Sequence, residues 1–582
     1  MSAGWLDPSE LRVGLGCMRL STTDNFKEGE GAATIAAAAA AGVTVFDTAH
    51  AYGQGPDDYG RNERLVAQAL RESGAADKAR IVTKGGMTRA GDQWIPDGRA
   101  KTILSDCDAS LVALDGLMID LYLIHAPDPR TPWLTTLRAL ARLADEGLVQ
   151  HVGVANVNRR QLDEALALTN ITAVQVGLSL YDDRALRGGL VEFCERRRIT
   201  LLAHSPLGGP RRVAGVNRRQ ALADVARAHG GTPAQVALAW LLQLSPAVVP
   251  IPGARRPENA RSAARAAKVR LGAGDRGTLA SAFGLDSPVR SGRRRSSSTA
   301  EVVIIMGIPG AGKSGVAGGY VAKGYVRLNR DELGGSLPAL ASTLNQRLSD
   351  GARRVVLDNT YLTRAARSYV IQTAKRNRAS ITCIWLNTPL AQAQVNLVER
   401  LLDRFGSLPS PEELRQLARR EPGMLMPTSQ MRALRELEQP ATDEGLDRVE
   451  VVPFSRTAPS DRPRAGVFVA AAALSLPGWK EAIAQGAPGA PHLVFDWSPG
   501  SSRNALRGAV ARISDEVAGP VDSAICPHQG GPPRCWCRPT LPGLPLAFAR
   551  AHGVDPSRSI LVGTGPAHRT LATTLGARYV PV

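Results

Sequence analysis

Short apolar runs alternate with amphipathic stretches along the first half of the chain. Stretches such as NERLVAQALRE and RQLDEALAL place apolar residues at helical spacing. The apolar runs between them read as strands: RVGLG, TVFDTA, RIVTK, DLYLIH, HVGVAN, AVQVGLS, TLLAHSP and AVVPIPG. Eight strands that alternate with helices predict a (β/α)8 barrel of the TIM type over residues 1–286.

Two polar segments interrupt this pattern and predict the domain boundaries. Residues 287–299, SPVRSGRRRSSST, read as a basic linker, and residues 455–466, SRTAPSDRPRAG, are rich in proline. They divide the chain into blocks at 1–286, 300–456 and 466–582. A chain of 582 residues is too long for one core, so an α/β multidomain protein is expected.

The composition is that of a soluble globular protein, with 44% hydrophobic and 21% charged residues. The net charge of +18 favours an anionic partner such as nucleic acid, although an arginine-rich solvated surface gives the same charge. The start of the chain has no apolar leader, and the alanine run at 36–41 is too short for a membrane span. We therefore expect a cytoplasmic protein without membrane contact. The seven cysteines do not favour a disulfide framework, because their number is odd, three of them crowd into twelve residues near the C-terminus, and the others are scattered.

Polar residues end successive strands of the predicted barrel. Strand ends of such a barrel converge on one mouth, where active sites form. One buried histidine is usually structural, but several polar residues in matching positions favour a site. They are Asp47, Lys84, His125, Asn156, Gln175 and His204.

The residue types at this mouth fit the reduction of a carbonyl. Tyr52 could donate a proton to a developing alkoxide, and a neighbouring Lys84 ammonium would lower the phenol pKa. Asp47 would hold Lys84, and His125 would orient the substrate carbonyl.

The segments FDTAHAYG, VTKGG, DLYLIHAPD and GVAN resemble the aldo-keto reductases, and the resemblance spans nearly the whole first block. It implies a catalytic tetrad and a pair of residues that bind the nicotinamide carboxamide. The tetrad is Asp47, Tyr52, Lys84 and His125, and the pair is Asn156 and Gln175.

The resemblance also implies further contacts to NADP(H). His204 stands where the family commonly has an aromatic ring against the nicotinamide, and IPGARRPENA resembles the phosphate-binding segment. Arg255 or Arg256 would bind the 2′-phosphate, although an arginine pair is also a common solvated surface. The remaining expected cofactor contacts are Ser205, Leu207, Gly253 and Asn259. The substrate would be a small aldehyde or ketone.

The second block opens with an apolar strand and a glycine-rich loop, EVVIIMGIPGAGKSG. The pattern Gly307-x4-Gly312-Lys313-Ser314 predicts a P-loop for ATP, with the lysine at the β/γ-phosphates and the serine hydroxyl on Mg²⁺. A plain glycine turn is the alternative. The predicted loop contacts are Gly307, Pro309, Gly310, Ala311, Gly312, Lys313, Ser314 and Gly315.

A carboxylate near the loop could act as the base of phosphoryl transfer. Asp331 in NRDELG follows an apolar strand and could accept a proton from an attacking hydroxyl, or it could be a helix N-cap. With LDNT and WLNTPLAQAQVNLVERL, this order resembles the polynucleotide 5′-hydroxyl kinases. The resemblance implies that Asp331 is the base and that Asp358, with Ser314, lies at Mg²⁺. It also implies four acceptor contacts: Asp358, Asn359, Arg364 and Arg367.

Several questions stay open for this block. Gln394 and Val398 occupy the arginine positions of the family's lid, so Arg400 or Arg404 would have to substitute, or the arginine that contacts ATP would come from the segment TSQMRALRELE. The acceptor could be a DNA or RNA end, or a sugar or nucleoside. The block could also serve only as an ATP- and phosphate-binding sensor.

The third block carries four residues with the spacing of metal ligands, in ICPHQGGPPRCWCRPTLPG. Cys526, His528, Cys535 and Cys537 can enclose one tetrahedral Zn²⁺ and leave no open position, so a structural metal is predicted. Cysteines packed as small hydrophobic side chains are the alternative.

This loop resembles the zinc loop of haloacid-dehalogenase-like phosphatases, which implies an α/β domain over 466–582. However, Ala470–Ala473 replace the nucleophilic aspartate, and Gly563-Thr564 replace a Gly-Asp pair that holds Mg²⁺. Without these carboxylates the domain is expected to lack phosphatase activity. The whole chain then reads as a reductase fused to a kinase.

Overall fold

The computed structural model describes residues 5–22, 28–90, 93–213, 215–285, 300–420, 425–454, 462–530 and 533–582. Its contacts divide the chain into two compact units, Met1–Arg290 and Ser291–Val582. The predicted basic linker at 287–299 lies outside the described residues, as do residues 455–461 of the second polar segment.

The first unit is built on a parallel barrel. Its strands are β1 (Leu15–Gly16), β2 (Val45–Asp47), β3 (Arg80–Gly85), β4 (Met87–Ala90), β5 (Gln93–Pro96), β6 (Leu121–Ile124), β7 (His151–Ala155), β8 (Ile171–Gly177), β9 (Thr200–His204) and β10 (Val248–Pro250). Its helices are α1 (Glu28–Ala40), α2 (Arg61–Glu72), α3 (Ala100–Ala113), α4 (Trp133–Asp145), α5 (Arg159–Leu166), α6 (Arg184–Arg187), α7 (Leu190–Arg197), α8 (Pro210–Val213), α9 (Gln220–Ala228), α10 (Pro233–Leu244), α11 (Pro257–Arg265) and α12 (Ala273–Phe283).

The eight barrel strands follow the order β1-β2-β3-β6-β7-β8-β9-β10, and each neighbouring pair is parallel. Two hydrogen bonds close the sheet, because the amides of Gly14 and Gly16 donate to the carbonyls of Pro250 and Pro252, each at 3.0 Å. The predicted (β/α)8 barrel is therefore confirmed.

Aliphatic side chains fill the barrel, and Trp5 packs against them. A second, larger apolar cluster lies between the strands and the surrounding helices. This packing explains why the strands read as nearly continuous apolar runs, since both of their faces are buried. The antiparallel pair β4–β5 follows β3 and lies outside the barrel sheet.

The second unit contains two parallel sheets. The first has strands β11 (Glu301–Met306), β12 (Val326–Leu328), β13 (Arg354–Asp358), β14 (Ser380–Asn387) and β15 (Arg448–Pro453). Its helices are α13 (Lys313–Val321), α14 (Arg330–Leu333), α15 (Leu337–Ser349), α16 (Arg364–Arg376), α17 (Leu390–Phe405), α18 (Pro411–Arg420) and α19 (Pro427–Glu436). The strand order β12-β13-β11-β14-β15 places β11 and its following loop at the centre of the sheet.

The other sheet has strands β16 (Val467–Ala470), β17 (His492–Trp497), β18 (Val521–Cys526), β19 (Ile560–Gly563) and β20 (Arg578–Pro581). Its helices are α20 (Trp479–Ile483), α21 (Arg507–Ser514), α22 (Gly543–His552) and α23 (Pro566–Leu575). All neighbouring strands are parallel, in the order β18-β17-β16-β19-β20.

One apolar cluster joins helices beside the first sheet of the second unit to the strands of the other sheet. Helix α17 contributes Leu397 and Leu401 to a cluster that also contains Phe468 and Trp536. An ion pair between Arg462 and Glu399, at 2.7 Å, joins the same two parts. Separate domains at 300–456 and 466–582 therefore stay a prediction, because the contacts group both blocks together.

Among the residues that the structure describes, no helix combines the length and the apolar character that crossing a membrane requires.

Candidate active site and nucleotide loop

A buried ion pair lies at the mouth of the barrel. Lys84 near the end of β3 donates to Asp47 Oδ1 at the end of β2, at 2.7 Å, and to the carbonyl of Thr48, at 2.6 Å. The lysine is fully buried and the aspartate is 3% exposed. Burial lowers the pKa of Lys84, but the charges of Asp47 and Tyr52 and their hydrogen bonds outweigh it and leave the pKa above its ordinary value. The ammonium is therefore charged at neutral pH.

Tyr52 lies beside this ion pair. The Lys84 ammonium is 5.0 Å from the centre of the phenol ring. Burial raises the pKa of Tyr52, and the Lys84 ammonium offsets part of that rise. The expected lowering by Lys84 is present, but burial is the larger effect and the pKa is raised overall. The phenol therefore keeps its proton at neutral pH.

His125 packs edge-on against Tyr52, with ring centres 5.6 Å apart. Burial lowers the pKa of His125 well below its ordinary value, and the charges of Lys84 and His204 act in the same direction. Its Nδ1 is buried and has no hydrogen-bond partner among the described residues. A neutral imidazole thus lies next to the phenol.

Trp94 completes this group of rings and was not found from the sequence. It lies on β5, in edge contact with Tyr52 at 5.9 Å between ring centres. Arg89 on β4 packs over the indole and donates to the carbonyl of Gly53, at 2.9 Å, which ties the hairpin to the loop after Tyr52. The polar sequence TRAGDQ hides this hairpin from an argument based on apolar runs.

Three polar side chains continue the site along the next strands. Gln175 donates to Asp47 Oδ1 at 2.6 Å, and Asn156 donates to the carbonyl of His125 at 3.0 Å. The Nε2 of His204 lies 3.0 Å from Asn156 Oδ1, so it carries the ring proton. The structure thus brings together all six residues that were predicted at the barrel mouth.

Tyr52, Trp94 and five of these six polar residues, all but Lys84, surround a cavity of about 390 Å³. Apolar side chains complete its lining, including Met18, Met87, Leu207 and Val213. The predicted cofactor residues Ser205 and Gly253 also line it. The other predicted residues, Arg255, Arg256 and Asn259, are exposed at the start of α11 and do not line the cavity.

Arg19 links the cavity to this basic segment. It lines the cavity, and after the effect of burial the nearby Arg255 charge also lowers its pKa. Sequence reasoning missed Arg19 because it follows a strand end that carries no acidic or histidine residue. The arrangement offers at least two guanidinium groups to an anion near the start of α11.

In the second unit, the glycine-rich loop follows β11. Three of its glycines have positive φ, at 159° for Gly307, 85° for Gly310 and 93° for Gly312, and the last is the N-cap of α13. Such angles require glycine at Gly310 and Gly312. Lys313 folds back over the loop and donates to the carbonyls of Gly307 and Ile308, both at 3.1 Å.

The next three carbonyls of the loop are also bound by side chains. Gln430 donates to Pro309 at 2.8 Å, Asn396 to Gly310 at 2.8 Å, and Thr388 to Ala311 at 3.1 Å. With the carbonyls of residues 307–311 all occupied, the loop is held in one conformation. A plain glycine turn, which was the alternative to a P-loop, does not account for such a set of hydrogen-bond partners.

Asp331 lies on α14 and is exposed. Burial has the largest effect on the pKa of Lys313, which it lowers, and the charges of Asp358 and Arg400 have smaller effects. The Asp331 charge has a still smaller effect and raises this pKa, so Asp331 and Lys313 are within electrostatic range. The N-cap alternative for Asp331 is wrong, because the cap is Asn329, whose side chain accepts from the Asp331 amide at 2.7 Å.

Comparisons with known proteins identify the first unit. Residues 12–282 match the profile of the aldo/keto reductase family. The chain is 33% identical over 278 residues to a probable aldo-keto reductase 1 of Glycine max, which covers 43% of this chain and 78% of that protein. The chain belongs to the aldo/keto reductase family.

Other relatives of this reductase cover the same part of the chain. An aldo-keto reductase of Strobilurus tenacellus is 29% identical over 264 residues, or 40% of this chain and 75% of that protein. An aldo/keto reductase of Klebsiella pneumoniae, solved with NADP and acetate, is 26% identical and covers 49% of this chain and 94% of that chain, with a TM-score of 0.40.

The second unit of the reductase matches a different family. Residues 302–422 match the profile of an AAA domain, a range that begins in β11 and includes the glycine-rich loop. The P-loop that the sequence predicts is thus present in the middle of the chain.

The predicted Mg²⁺ ligand Asp358 is already occupied. It is 2% exposed at the end of β13, and Arg327 binds both its carboxylate oxygens, at 3.2 and 2.7 Å. Asn329 also donates to Asp358 Oδ1, at 2.7 Å. A carboxylate held by a guanidinium does not fit a magnesium ligand in this conformation, and Arg327 was missed from the sequence.

The predicted acceptor contacts on α16 need correction. Arg367 is fully buried and forms a bidentate ion pair with Glu444, with both distances at 2.7 Å. Arg364 lies mostly buried against Asp443, at 3.0 Å. Arg367 therefore cannot contact an acceptor phosphate. Asn359 is also engaged, since its Oδ1 accepts from the Arg330 amide at 3.0 Å.

The structure distinguishes between the two alternatives for a lid arginine on α17, Arg400 and Arg404. Gln394 and Val398 are buried on α17, whereas the charge of Arg400 reaches Lys313 and lowers its pKa. Arg404 instead lies over the ring of Phe405. Of these two arginines, Arg400 is therefore the better candidate for contacting ATP, because its charge acts on the P-loop lysine.

The predicted zinc ligands converge at the end of β18. Cys526 Sγ lies 3.7 Å from Cys535 Sγ and 3.4 Å from Cys537 Sγ, and His528 Nδ1 lies 3.2 Å from Cys537 Sγ. All four ligand atoms lie within 4.8 Å of one another. A tetrahedral zinc with Zn–S bonds of about 2.3 Å separates its sulfur ligands by about 3.8 Å, so this donor set fits the ion.

Carboxylates are absent where a phosphatase of the expected type needs them. Ala470 ends β16, and Gly563 ends β19 and is followed by Thr564. The amide of Thr564 donates to His568 Nδ1 at 3.1 Å, so the segment forms a closed turn.

Proposed function

We propose that the barrel catalyses the NADPH-dependent reduction of a small aldehyde or ketone. The observation that supports this most strongly is the buried Lys84–Asp47 ion pair beside Tyr52, in a cavity that also contains a neutral histidine. The bound nicotinamide supplies the hydride.

The chain itself supplies the proton and holds the carbonyl. The Tyr52 hydroxyl donates its proton to the carbonyl oxygen, and the Lys84 ammonium stabilises the phenolate that remains. Asp47 keeps Lys84 charged and in place. The neutral His125 orients the carbonyl by hydrogen bonding, and Trp94 packs against the substrate side of the site.

The residues around the cavity support NADP as the cofactor. Asn156 and Gln175 are proposed to bind the nicotinamide carboxamide, and His204 to contact its ring. Arg19 and Arg255 lie close enough to influence each other, and with Arg256 they would bind a 2′-phosphate. The Klebsiella pneumoniae relative was solved with NADP.

The test is the oxidation of NADPH with a panel of aldehydes and ketones. We expect turnover by the wild type and a loss of at least about a thousandfold in Tyr52→Phe, which keeps the ring but lacks the proton donor. Tyr122→Phe, whose hydroxyl donates to the carbonyl of Ile103 on α3 and does not line the cavity, is the matched control. Equal inactivity of the wild type and Tyr52→Phe over the whole panel would contradict the proposal.

A second function, ATP-dependent phosphorylation of a hydroxyl, is proposed for the P-loop. The supporting observation is the loop conformation held through the carbonyls of residues 307–311, with Lys313 at its centre. Asp331 is the proposed base, and Ser314 the proposed Mg²⁺ contact on the first turn of α13. The proposed acceptor is a polynucleotide 5′-hydroxyl, with a sugar or nucleoside as the alternative.

Labelled ATP, offered with 5′-hydroxyl DNA, 5′-hydroxyl RNA and a set of sugars and nucleosides, tests this function. Lys313→Ala should lose ATP binding, whereas Asp331→Asn should retain binding and lose transfer. Transfer to small molecules alone would exclude the polynucleotide acceptor. If the wild type binds ATP but transfers to none of the acceptors, the domain is a sensor rather than a kinase.

For the remaining sheet we propose a zinc-stabilised, haloacid-dehalogenase-like domain without phosphatase activity. The strand order, the Cys/His cluster and the missing carboxylates support this assignment. Zinc would be structural, because four protein ligands leave no open position. Rapid hydrolysis of a phosphate monoester that persists in Lys313→Ala would contradict it.

A further inference from the structure

Helix α19 connects the Cys/His cluster to the P-loop. Trp536 stands between two of the cluster's cysteines, Cys535 and Cys537, and is 1% exposed. Its indole N–H donates to the carbonyl of Leu425 at 3.1 Å. Leu425 lies two residues before the first residue of α19, so this bond holds the start of the helix against the cluster.

The other end of this connection is Gln430 on α19. This side chain is fully buried and donates to the P-loop carbonyl of Pro309 at 2.8 Å. Its Oε1 has no hydrogen-bond partner among the described residues. The amide therefore depends on the position of the helix, because no second polar contact holds it in place.

Helix α17 provides a second connection between the Cys/His cluster and the P-loop. Its Asn396 donates to the carbonyl of Gly310, the next residue of the loop. The neighbouring Leu397 lies in the same apolar cluster as Trp536 and Cys535. Two of the three distant side chains that hold the P-loop are therefore carried by helices that pack against the metal cluster.

We propose that the Cys526/His528/Cys535/Cys537 centre is a positioning element for the P-loop, so that zinc and ATP bind cooperatively. With zinc bound, the two cysteines fix the backbone on both sides of Trp536, and the indole fixes the start of α19. Without zinc this segment loses its crosslink, and Gln430 loses its fixed position. The inference rests on the proposed binding of zinc and ATP to the same unit.

Coupling of this kind must be reciprocal. If zinc strengthens ATP binding, ATP must strengthen zinc binding by the same factor. The second effect can be measured without any enzymatic activity, as the zinc affinity of the full-length protein in equilibrium competition with a chelator.

The experiment therefore measures the equilibrium division of zinc between the protein and a coloured chelator, with and without a saturating non-hydrolysable ATP analogue. We expect the analogue to raise the zinc affinity about fivefold or more in the wild type and to have no effect in Lys313→Ala. NADPH, which should bind only to the barrel, serves as the ligand control and should leave the zinc affinity unchanged.

Trp536→Phe tests the connection with the ligands intact. It keeps an aromatic ring but lacks the N–H that reaches Leu425. We expect full zinc content, ATP affinity reduced about fivefold or more, and no increase of zinc affinity in the presence of the analogue. Trp479→Phe, on α20 and packed against a separate apolar cluster of the same unit, is the matched control and should behave as the wild type.

The outcomes separate the inference from the function on which it rests. Absence of ATP binding or of zinc in the wild type would overturn both. Binding of both ligands with identical zinc affinity in the presence and absence of the analogue would overturn the coupling alone. Equal ATP affinities of Trp536→Phe and Trp479→Phe would exclude Trp536 as the connection.

Discussion

Lys84 shows how one residue of the reductase site depends on its neighbours. A fully buried ammonium is unstable unless it is paired, and Asp47 supplies the pair at 2.7 Å. Gln175 binds the same carboxylate oxygen and so limits the positions that Asp47 can adopt. The Lys84 charge that is proposed to assist Tyr52 is thus maintained by the contacts of Asp47 with Lys84 and Gln175.

Lys313 is the opposite case, because burial lowers its pKa to about 8. The folded chain therefore binds fewer protons than the unfolded chain between pH 8 and the ordinary lysine pKa. The cost of burying the charge is fully present below about pH 8 and is relieved as the pH rises above it. Since phosphates bind the ammonium, ATP must restore the proton in that range.

We predict that ATP affinity is constant below pH 8 and falls about tenfold per pH unit above it. Calorimetric titration at pH 7, 8 and 9, in buffers of different ionisation enthalpy, measures both the affinity and the proton uptake. Lys313→Arg, whose side chain stays charged, should show no such slope. A wild-type affinity independent of pH up to 9 would contradict this assignment.

At the scale of elements, Arg367 joins α16 to the segment before β15. Its guanidinium binds Glu444 with two hydrogen bonds and also donates to the carbonyls of Tyr361 and Glu438. The arginine thus holds together chain segments that are far apart in sequence. Its place is structural, although its position after LDNT suggested a substrate contact.

We predict that Arg367→Met destabilises the second unit by about 3–5 kcal/mol, because the buried Glu444 loses its bidentate partner and keeps only the more distant Arg364, at 3.8 Å, as a counter-charge. Arg415→Met on α18, which removes a pair with Glu412 in which both side chains are exposed, is the matched control, and its loss should be below about 1 kcal/mol. Calorimetry of the full chain should show one transition shifted and the barrel transition unchanged. Lost transfer with unchanged stability would instead indicate contact with substrate.

At the scale of the whole molecule, each site is built from residues of one unit. The residues proposed for carbonyl reduction lie within Met1–Arg290, and those proposed for ATP within Ser291–Val582. No described side chain of the reductase site is shared with the P-loop.

We therefore predict that the two activities are separable in the full-length protein. Tyr52→Phe should lose NADPH oxidation and keep wild-type ATP affinity, and Lys313→Ala should show the reverse. Parallel assays of both variants measure this. A substantial fall in carbonyl reduction in Lys313→Ala would show that the units depend on each other.

Much of this architecture is readable from local patterns. The barrel strands are buried on both faces, so they stand out as apolar runs, and polar residues at their ends converge at the mouth of any such barrel. The P-loop is equally local, because its glycines and lysine lie within eight residues of one another. The four metal ligands are also close in sequence, so their spacing alone suggests the cluster.

Other features depend on contacts that the local sequence does not encode. Gln430 lies 121 residues from the loop carbonyl it binds, and Arg367 lies 77 residues from Glu444. In the sequence, an arginine in an amphipathic helix resembles a surface residue. Only the fold shows that a carboxylate far along the chain pairs with it in the interior.

The sequence alone thus determined the residue types available at each site, the strands of the barrel, and the spacing of the P-loop and of the four metal ligands. The tertiary structure decided which charges are buried, which are paired, and how far burial outweighs a neighbouring charge at Tyr52 and Lys313. These outcomes are balances between desolvation and Coulomb energy, and both depend on where the folded chain places its other atoms.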